Sequence, residues 1–218
     1  MRKYLSNGFT LVELLIVIAL LGVIATIVIA AINPIEQANR ARDSQFKSDS
    51  SQLLSAVERY YVANQYYPWV TNGVTSNDTA YGFKNAADGQ LGICSYTVGT
   101  GVTDCNSDGI LITALELKSG FRTRNFISNS AQNKAELRLF VGKAASTAGT
   151  SSPYACYIPM SKSNRDSACI AAGVYTVSTT TGARTKATCA AGADWSTHAA
   201  GDASGNPTAA TWLVCVPD

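Results

Sequence analysis

The sequence predicts an α+β fold in which a long N-terminal α-helix packs on a small antiparallel β-sheet head with disulfide-bonded loops. Three observations lead to this prediction. Residues 9–32 form an apolar run of membrane length, and the residues after them repeat apolar side chains at helical spacing. The remainder is loop-rich, holds short β-type segments and contains all 6 cysteines. The sequence therefore predicts one helix with an apolar half and an amphipathic half, followed by a single globular head.

The composition disfavours a cytosolic enzyme. Only 15% of the 218 residues are charged, against about 25% in ordinary soluble domains. The length allows one membrane element and one domain of ordinary size, and it is too short for a barrel enzyme. Six cysteines favour an oxidising compartment, and a net charge of +2 is too small to indicate wholesale nucleic-acid binding.

The apolar run at residues 9–32 predicts a membrane-spanning helix. Such a helix is about 36 Å long, which is enough to cross a hydrocarbon core of about 30 Å. Arg2 and Lys3 precede it, and the positive-inside tendency keeps that end in the cytoplasm. An ordinary cleaved signal peptide has a shorter apolar region of about 7–15 residues. A plain signal anchor is the simplest interpretation.

Glu13 argues against a plain anchor. An ionisable group near the centre of a spanning helix costs about 2.5–3.5 kcal/mol, and less near the interface, so it needs a partner. A cut between Gly8 and Phe9 would create an amine four residues before Glu13. In a helical repeat of subunits, the amine of one copy can pair with Glu13 of its neighbour. Such a pair would neutralise both charges and fix the axial register.

At these residues the sequence resembles the type IV pilin and type II secretion pseudopilin family. The resemblance lies in Lys3 of a short basic leader, in Gly8, and in the sequence FTLVELLIVIALLG from Phe9 to Gly22. It implies a prepilin with a class III signal peptide, which a prepilin peptidase cuts after Gly8 and methylates at Phe9. It also implies storage in membrane lipid of the inner membrane, followed by extraction through an assembly platform into a filament.

The resemblance assigns assembly roles to Phe9, Glu13, Gly22 and Pro34. Many family members carry a proline where this chain has Ala30, so any kink or unwound stretch is displaced here. The implied organisation is a leader at 1–8, a transmembrane and filament-core helix at 9–33, an amphipathic helix half at 34–67 and a head at 68–218.

The amphipathic half continues the helix past Pro34. Its apolar positions recur at spacings of three and four, and they include Ile35, Ala38, Phe46, Leu53, Leu54, Val57 and Tyr60. Charged residues, among them Asp43 and Asp49, are expected largely on other faces. We expect Pro34 to bend the helix without necessarily ending it and Pro68 to end it. A continuous helix from Phe9 to about Gln65 would be roughly 85 Å long.

The head is predicted to be an antiparallel sheet lying on the second half of the helix. Residues 70–109 are loop-rich with short apolar pieces at 81–83 and 93–98, and 110–117 slightly favours a helix over a strand. Strands are expected at 136–144, 155–160, 174–178 and 211–216, with surface loops at 147–153 and 179–207. Sequential strands are expected to pair. We treat a faint similarity between segments 154–159 and 212–217 as chance.

The cysteines predict structural disulfides. They are Cys94, Cys105, Cys156, Cys169, Cys189 and Cys215, and sequence alone does not choose among their pairings. Nearest-neighbour pairing would join Cys94 to Cys105, Cys156 to Cys169 and Cys189 to Cys215. The last bridge would resemble the C-terminal loop of many pilins. Metal ligation is the weaker alternative because no CxxC pair occurs and His198 is the one histidine.

Two further patterns point to ligands. Asp104, Asn106 and Asp108 resemble the opening of a calcium loop, but Leu115 stands where the closing acid is needed, so a polar turn is favoured over calcium. No other cofactor is expected. A basic stretch could bind a DNA backbone, with Phe121 and Phe126 interleaved; a solvated face or charge complementarity between subunits explains it better. Its cations are Lys118, Arg122, Arg124, Lys134, Arg138 and Lys143.

The sequence thus predicts a structural subunit that polymerises with identical copies into a pilus-like filament at the cell surface. No catalytic residues are predicted, because His198 has no identifiable partner. A type II secretion pseudopilin or a minor pilin remains an alternative with the same motifs. A second alternative is a membrane-anchored binding module or adhesin that does not polymerise and needs no cut at Gly8.

Overall fold

The computed structural model describes residues 8–71, 81–128, 134–144, 151–199 and 201–217. Most of the predicted leader, residues 1–7, lies outside the described residues. The chain forms two compact units that divide between Ala38 and Asn39. The first unit contains helix α1, Leu11–Ile32, of which Leu11–Ile29 is long and apolar enough to cross a membrane.

Helix α2, Pro34–Asn64, follows α1 after a single residue. That residue, Asn33, has a left-handed backbone with φ of 45° and ends α1. Asparagine tolerates this conformation, and a proline fits the first turn of a new helix because its missing N–H has no intrahelical acceptor there. The predicted continuous helix is therefore interrupted at Asn33. The predicted end near Gln65 is confirmed, and a short helix α3, Pro68–Thr71, comes next.

The amphipathic pattern of α2 is confirmed by burial. Phe46, Leu53 and Val57 are buried on one face, where they pack into the main core of the head. Each such side chain contributes about 1.5–3 kcal/mol when fully removed from water. Asp43 and Asp49 are also buried, each only 1% exposed, so the expectation that they lie on other faces is wrong.

The described part of the head contains eight strands. They are β1 Tyr81–Asn85, β2 Cys94–Thr97, β3 Val102–Asp108, β4 Leu139–Lys143, β5 Tyr154–Tyr157, β6 Val174–Val177, β7 Arg184–Lys186 and β8 Leu213–Val216. Six of them form one antiparallel sheet in the order β1-β4-β5-β8-β6-β7, and β2 pairs with β3 in a separate hairpin. The predicted antiparallel sheet is confirmed. Sequential pairing is wrong at β5 and β6, because β8 lies between them.

Several element boundaries differ from the expectations. The predicted strands at 136–144 and 155–160 shorten to β4 and β5, and a 3₁₀ turn, Ala135–Leu137, precedes β4. The helix expected at 110–117 is the single turn α4, Ile110–Thr113. A helical turn α5, Asn125–Ser128, follows, and β7 interrupts the loop expected at 179–207. Helix α6, Lys162–Ile170, was not predicted; its hydroxyl N-cap, Ser161, is the signal that could have found it.

The three disulfides join Cys94 to Cys105, Cys156 to Cys215 and Cys169 to Cys189. Nearest-neighbour pairing is therefore right for the first bridge and wrong for the other four cysteines. The reason is topological. Because β8 lies beside β5, Cys215 stands directly opposite Cys156. The segments 154–159 and 212–217, which are similar in sequence, contain β5 and β8. The two similar segments are therefore also neighbours in the sheet.

Leu115, just after α4, has an unusual backbone. Its φ is 61°, and the N–H groups of Glu116 and Leu117 both donate to the carbonyl of Leu111 to close the turn. A left-handed backbone costs a residue with a Cβ roughly 1–2 kcal/mol, which is why glycine normally occupies this position after a helix. The Leu115 side chain is also 90% exposed.

Candidate functional site

A capping box opens helix α1 at the predicted assembly residues. Glu13 Oε2 accepts hydrogen bonds from Thr10 N at 2.9 Å and from Thr10 Oγ1 at 2.8 Å. In return, Glu13 N donates to Thr10 Oγ1 at 3.2 Å. The first N–H groups of a helix have no intrahelical acceptor, and this exchange satisfies two of them. Glu13 is thus held at the helix N-terminus by its own chain.

Thr10 is a residue that the sequence analysis missed. The spacing of a threonine followed three residues later by a glutamate is the signature of a capping box, and it could have identified Thr10. Gly8 and Phe9 precede the helix in irregular backbone, and Phe9 is 82% exposed. The peptide bond between them is therefore outside regular structure. The roles of Gly8 and Phe9 in cleavage and methylation stay predictions.

The surface of α1 is apolar apart from Glu13 and Thr26. Its large aliphatic side chains range from 45% exposed at Val17 to 78% exposed at Leu11. A helix that is hydrophobic all round belongs in lipid or in the interior of an assembly. Apart from its chain neighbours and the backbone of its own helix, a Cβ added at Gly22 would meet no atom within 4 Å. The packing of the chain therefore gives no reason for glycine at Gly22.

The predicted calcium residues lie in strand β3 rather than in a loop. Asp108 forms an ion pair with Arg122 at 2.6 Å. Asp104 accepts hydrogen bonds from Ser107 Oγ and Asn106 N, and these bonds lower the pKa of Asp104. Within the described residues no group of three or more His, Cys, Asp or Glu side chains could hold a metal. Calcium binding through Asp104, Asn106 and Asp108 stays a prediction, and it would require Asp108 to leave Arg122.

The basic stretch does not form one exposed cationic surface. Arg122 pairs with Asp108, and Arg124 lies 3.6 Å from the carboxylate of Asp49. Arg138 and Lys143 are buried, at 5% and 1% exposure. This dispersal argues against the DNA interface that the sequence left open.

His198 is engaged with backbone and aromatic groups. Its Nδ1 lies 2.9 Å from the carbonyl oxygen of Ala210, and its ring stacks on Trp212 with centroids 3.9 Å apart. The hydrogen bond ties the ring to the backbone rather than to a carboxylate. The arrangement is that of a packed histidine at the edge of the head.

A partly buried polar junction fixes α2 to the turn before β4 and to the segment between β5 and α6. The Asp43 carboxylate accepts hydrogen bonds from Met160 N, Ser161 N and Asn164 Nδ2, each at 3.0 Å. Ser161 is the N-cap of α6, so Asp43 also binds the N-terminus of that helix. Beside it, Arg42 donates to the carbonyls of residues 136 and 158 at 2.6 and 2.7 Å. No local sequence pattern indicates these partners, because they lie far along the chain.

The N-terminal sequence matches a known family model. The model described as the prokaryotic N-terminal methylation motif matches residues 5–29, which include the capping box and most of α1. This match confirms the predicted pilin-like N-terminus. Together with the apolar helix, it fits a precursor held in the inner membrane.

Two curated relatives are similar to part of the chain. They are the type II secretion system core proteins G of Klebsiella michiganensis and Aeromonas hydrophila, each 32% identical over 74 residues. The matched region covers 34% of this chain and 51% and 50% of the relatives, so the chain spans about half the length of the relatives it matches. No solved structure matches the chain significantly. The motif and the relatives support a pilin or pseudopilin filament subunit, and they are equally consistent with either.

Proposed function

We propose that this protein is the structural subunit of a pilin-like filament, made as a prepilin and stored in the inner membrane. The observation that carries the proposal is the N-terminal methylation motif on an exposed helix that is apolar apart from Glu13 and Thr26. The role is structural rather than catalytic. Lipid covers α1 in the stored form, and the α1 helices of identical subunits cover it in the filament.

The capping box suggests how Glu13 acts. Thr10 binds only one carboxylate oxygen, Oε2, with both of its donors. After cleavage between Gly8 and Phe9, the methylated amine of a neighbouring subunit binds Oε1 of the same carboxylate. A charged pair inside an apolar bundle is stable only when its hydrogen bonds are satisfied, so the pair forms in one axial register.

The proposed partners follow from these steps. A prepilin peptidase that is also the methyltransferase acts on Gly8 and Phe9, and an inner-membrane assembly platform extracts the mature chain from lipid. Identical subunits then add to a helical filament at the cell surface.

A secretion pseudopilus is a second candidate, and a specific observation favours it. Both curated relatives are described as type II secretion system core proteins. A minor pilin shares the same motif. A membrane-anchored binding module differs from all of these because it would keep residues 1–8 and would not need Glu13.

The first test is the intact mass of protein recovered from sheared cell-surface material. We expect a chain that begins at methylated Phe9 and is lighter by six hydrogens because of the three disulfides. Mature protein found only in membranes and periplasm would favour the pseudopilin. An uncut chain confined to membranes would overturn the filament proposal in favour of the binding module.

The second test is Glu13→Ala. We expect normal cleavage but a loss of about tenfold or more of the filament fraction, because the charged pair is removed. Glu58→Ala is the matched control, since Glu58 is an exposed acid on α2. The filament fraction and the membrane fraction of each variant are measured by immunoblot of sheared and membrane material. Abundant filaments from the Glu13→Ala variant would contradict the proposed role of Glu13.

A further inference from the structure

Residues 187–199 form a segment that packs beside strands β6 and β8. All of these residues are described, and they follow β7 in turns and irregular backbone. Trp195 of this segment is buried together with Cys169 and Val174 in a small apolar cluster, which is distinct from the two larger clusters of the head. Its ring also makes an edge contact with Trp212. We call residues 187–199 the Trp195 flap.

The disulfide between Cys169 and Cys189 is a covalent link between the Trp195 flap and helix α6. Near this bridge, Gly192 N of the flap donates a hydrogen bond to Asp166 Oδ1 of α6 at 2.7 Å. That hydrogen bond lies at the surface, where it exchanges readily with bonds to water and contributes little net stability. The disulfide is therefore the stronger of the two links.

The three disulfides differ in what else holds their cysteines together. Cys156 and Cys215 are fully buried and stand opposite each other on the paired strands β5 and β8. Cys94 is fully buried and Cys105 is half-buried, and they lie on the paired strands β2 and β3. Cys189 is half-buried as well, but it lies in the irregular backbone of the flap. Strand pairing would keep the first four sulfur atoms close together after reduction, whereas Cys189 would be released.

We propose that the bridge between Cys169 and Cys189 is a redox-sensitive latch, which a dithiol opens. A thiolate of the dithiol attacks Cys189 Sγ to form a mixed disulfide, and Cys169 Sγ leaves as a thiolate and takes up a proton. The second thiol of the dithiol attacks the mixed disulfide and releases Cys189 as a thiol. The dithiol is thereby oxidised to a disulfide, and two electrons and two protons pass to the cysteines. The flap then opens locally while the sheet keeps its strand pairing.

Opening the latch exposes apolar side chains. Val174 of β6 is fully buried in the cluster that contains Trp195, so both side chains meet water when the flap moves away. The reduced head and the oxidised head therefore present different surfaces. The oxidising compartment that the 6 cysteines favour would keep the latch closed.

The direct test is stepwise reduction of the full chain in detergent. Dithiothreitol is raised in steps, free thiols are blocked with iodoacetamide at each step, and the modified cysteines are located by peptide mass spectrometry. We expect Cys169 and Cys189 to be modified at a dithiothreitol concentration about tenfold or more below that needed for the other four cysteines. Modification of another pair first or at the same concentration would overturn the proposal.

The second test opens the latch without a reductant. In a chain carrying Cys169→Ser and Cys189→Ser, we expect the tryptophan emission to shift to longer wavelength because Trp195 gains contact with water. The far-UV circular dichroism of the sheet should be kept. Unchanged emission, or loss of the sheet signal, would overturn the latch.

The matched control for this variant is a chain carrying Cys156→Ser and Cys215→Ser. We expect the control to lose more Tm, because its bridge spans a sequence separation of 59 residues and that of the latch spans 20. Both Tm values are measured by thermal unfolding of the full chain in detergent. A larger loss of Tm in the latch variant than in the control would show that the latch bridge supports the whole head, and this would also contradict the proposal.

Discussion

Helices α1 and α2 are consecutive in the sequence, but they differ in whether the rest of the chain buries their apolar side chains. The large apolar side chains of α1 are exposed, whereas Phe46, Leu53 and Val57 of α2 are buried by the head. The hydrophobic effect favours burial of the apolar side chains of both helices, but among the described residues only those of α2 are buried by the chain itself. Side chains of α2 should therefore determine folding, and those of α1 should determine membrane storage and assembly.

The largest expected effect on folding lies at Asp43. Asp43→Ala should lower the free energy of unfolding of the head by about 3–5 kcal/mol, because it removes the carboxylate that pairs with Arg42 and that accepts hydrogen bonds from the partly buried N–H of Met160 and the buried N–H of Ser161. Asp43→Asn keeps an acceptor oxygen and should cost less. Thermal unfolding of the full chain in detergent, followed by near-UV circular dichroism, measures both. Equal losses in the two variants would contradict the importance of the hydrogen bonds.

A leucine pair compares the two helices directly. Leu53→Ala should cost the head about 2–5 kcal/mol, because Leu53 is fully buried and a cavity remains. Leu15→Ala in α1 should leave unfolding of the head unchanged, since Leu15 is 55% exposed. The same unfolding experiment measures this pair. A similar loss of Tm for Leu15→Ala would contradict the claim that side chains of α2, and not those of α1, determine folding of the head.

The smallest effect is the pH dependence at Asp49. Burial raises the pKa of Asp49 above its ordinary value of 3.8, although Arg124 at 3.6 Å partly opposes the rise. Between 3.8 and the raised native pKa, the folded state keeps a proton that the unfolded state has lost. Stability from this group should therefore increase as pH falls through that window.

Asp49→Asn should remove this pH dependence and slightly stabilise the head at pH about 7, because the neutral amide avoids the cost of a buried charge. Denaturant unfolding at a series of pH values measures the slope. Glu58→Gln, on the exposed face of α2, is the matched control. An unchanged slope in Asp49→Asn would show that another group titrates there.

The sequence was informative wherever a pattern is local. The apolar run predicted α1, and the spacing of Phe46, Leu53 and Val57 predicted the buried face of α2. It was misleading at Asp43, whose charge suggested an exposed position. Asp43 is three residues before Phe46 and lies on the same stripe, but its partners Met160 and Ser161 are 117 and 118 residues away.

The sequence by itself determined the class of N-terminus, the two helix halves, the antiparallel head and the presence of disulfides. Periodicity, charge and residue spacing express these features, because each depends on a short stretch of chain. Only the tertiary structure decided that β8 lies between β5 and β6, and hence that Cys215 joins Cys156. Strand order and the burial of Asp43 depend on contacts between distant segments, and those contacts exist only once the chain has folded.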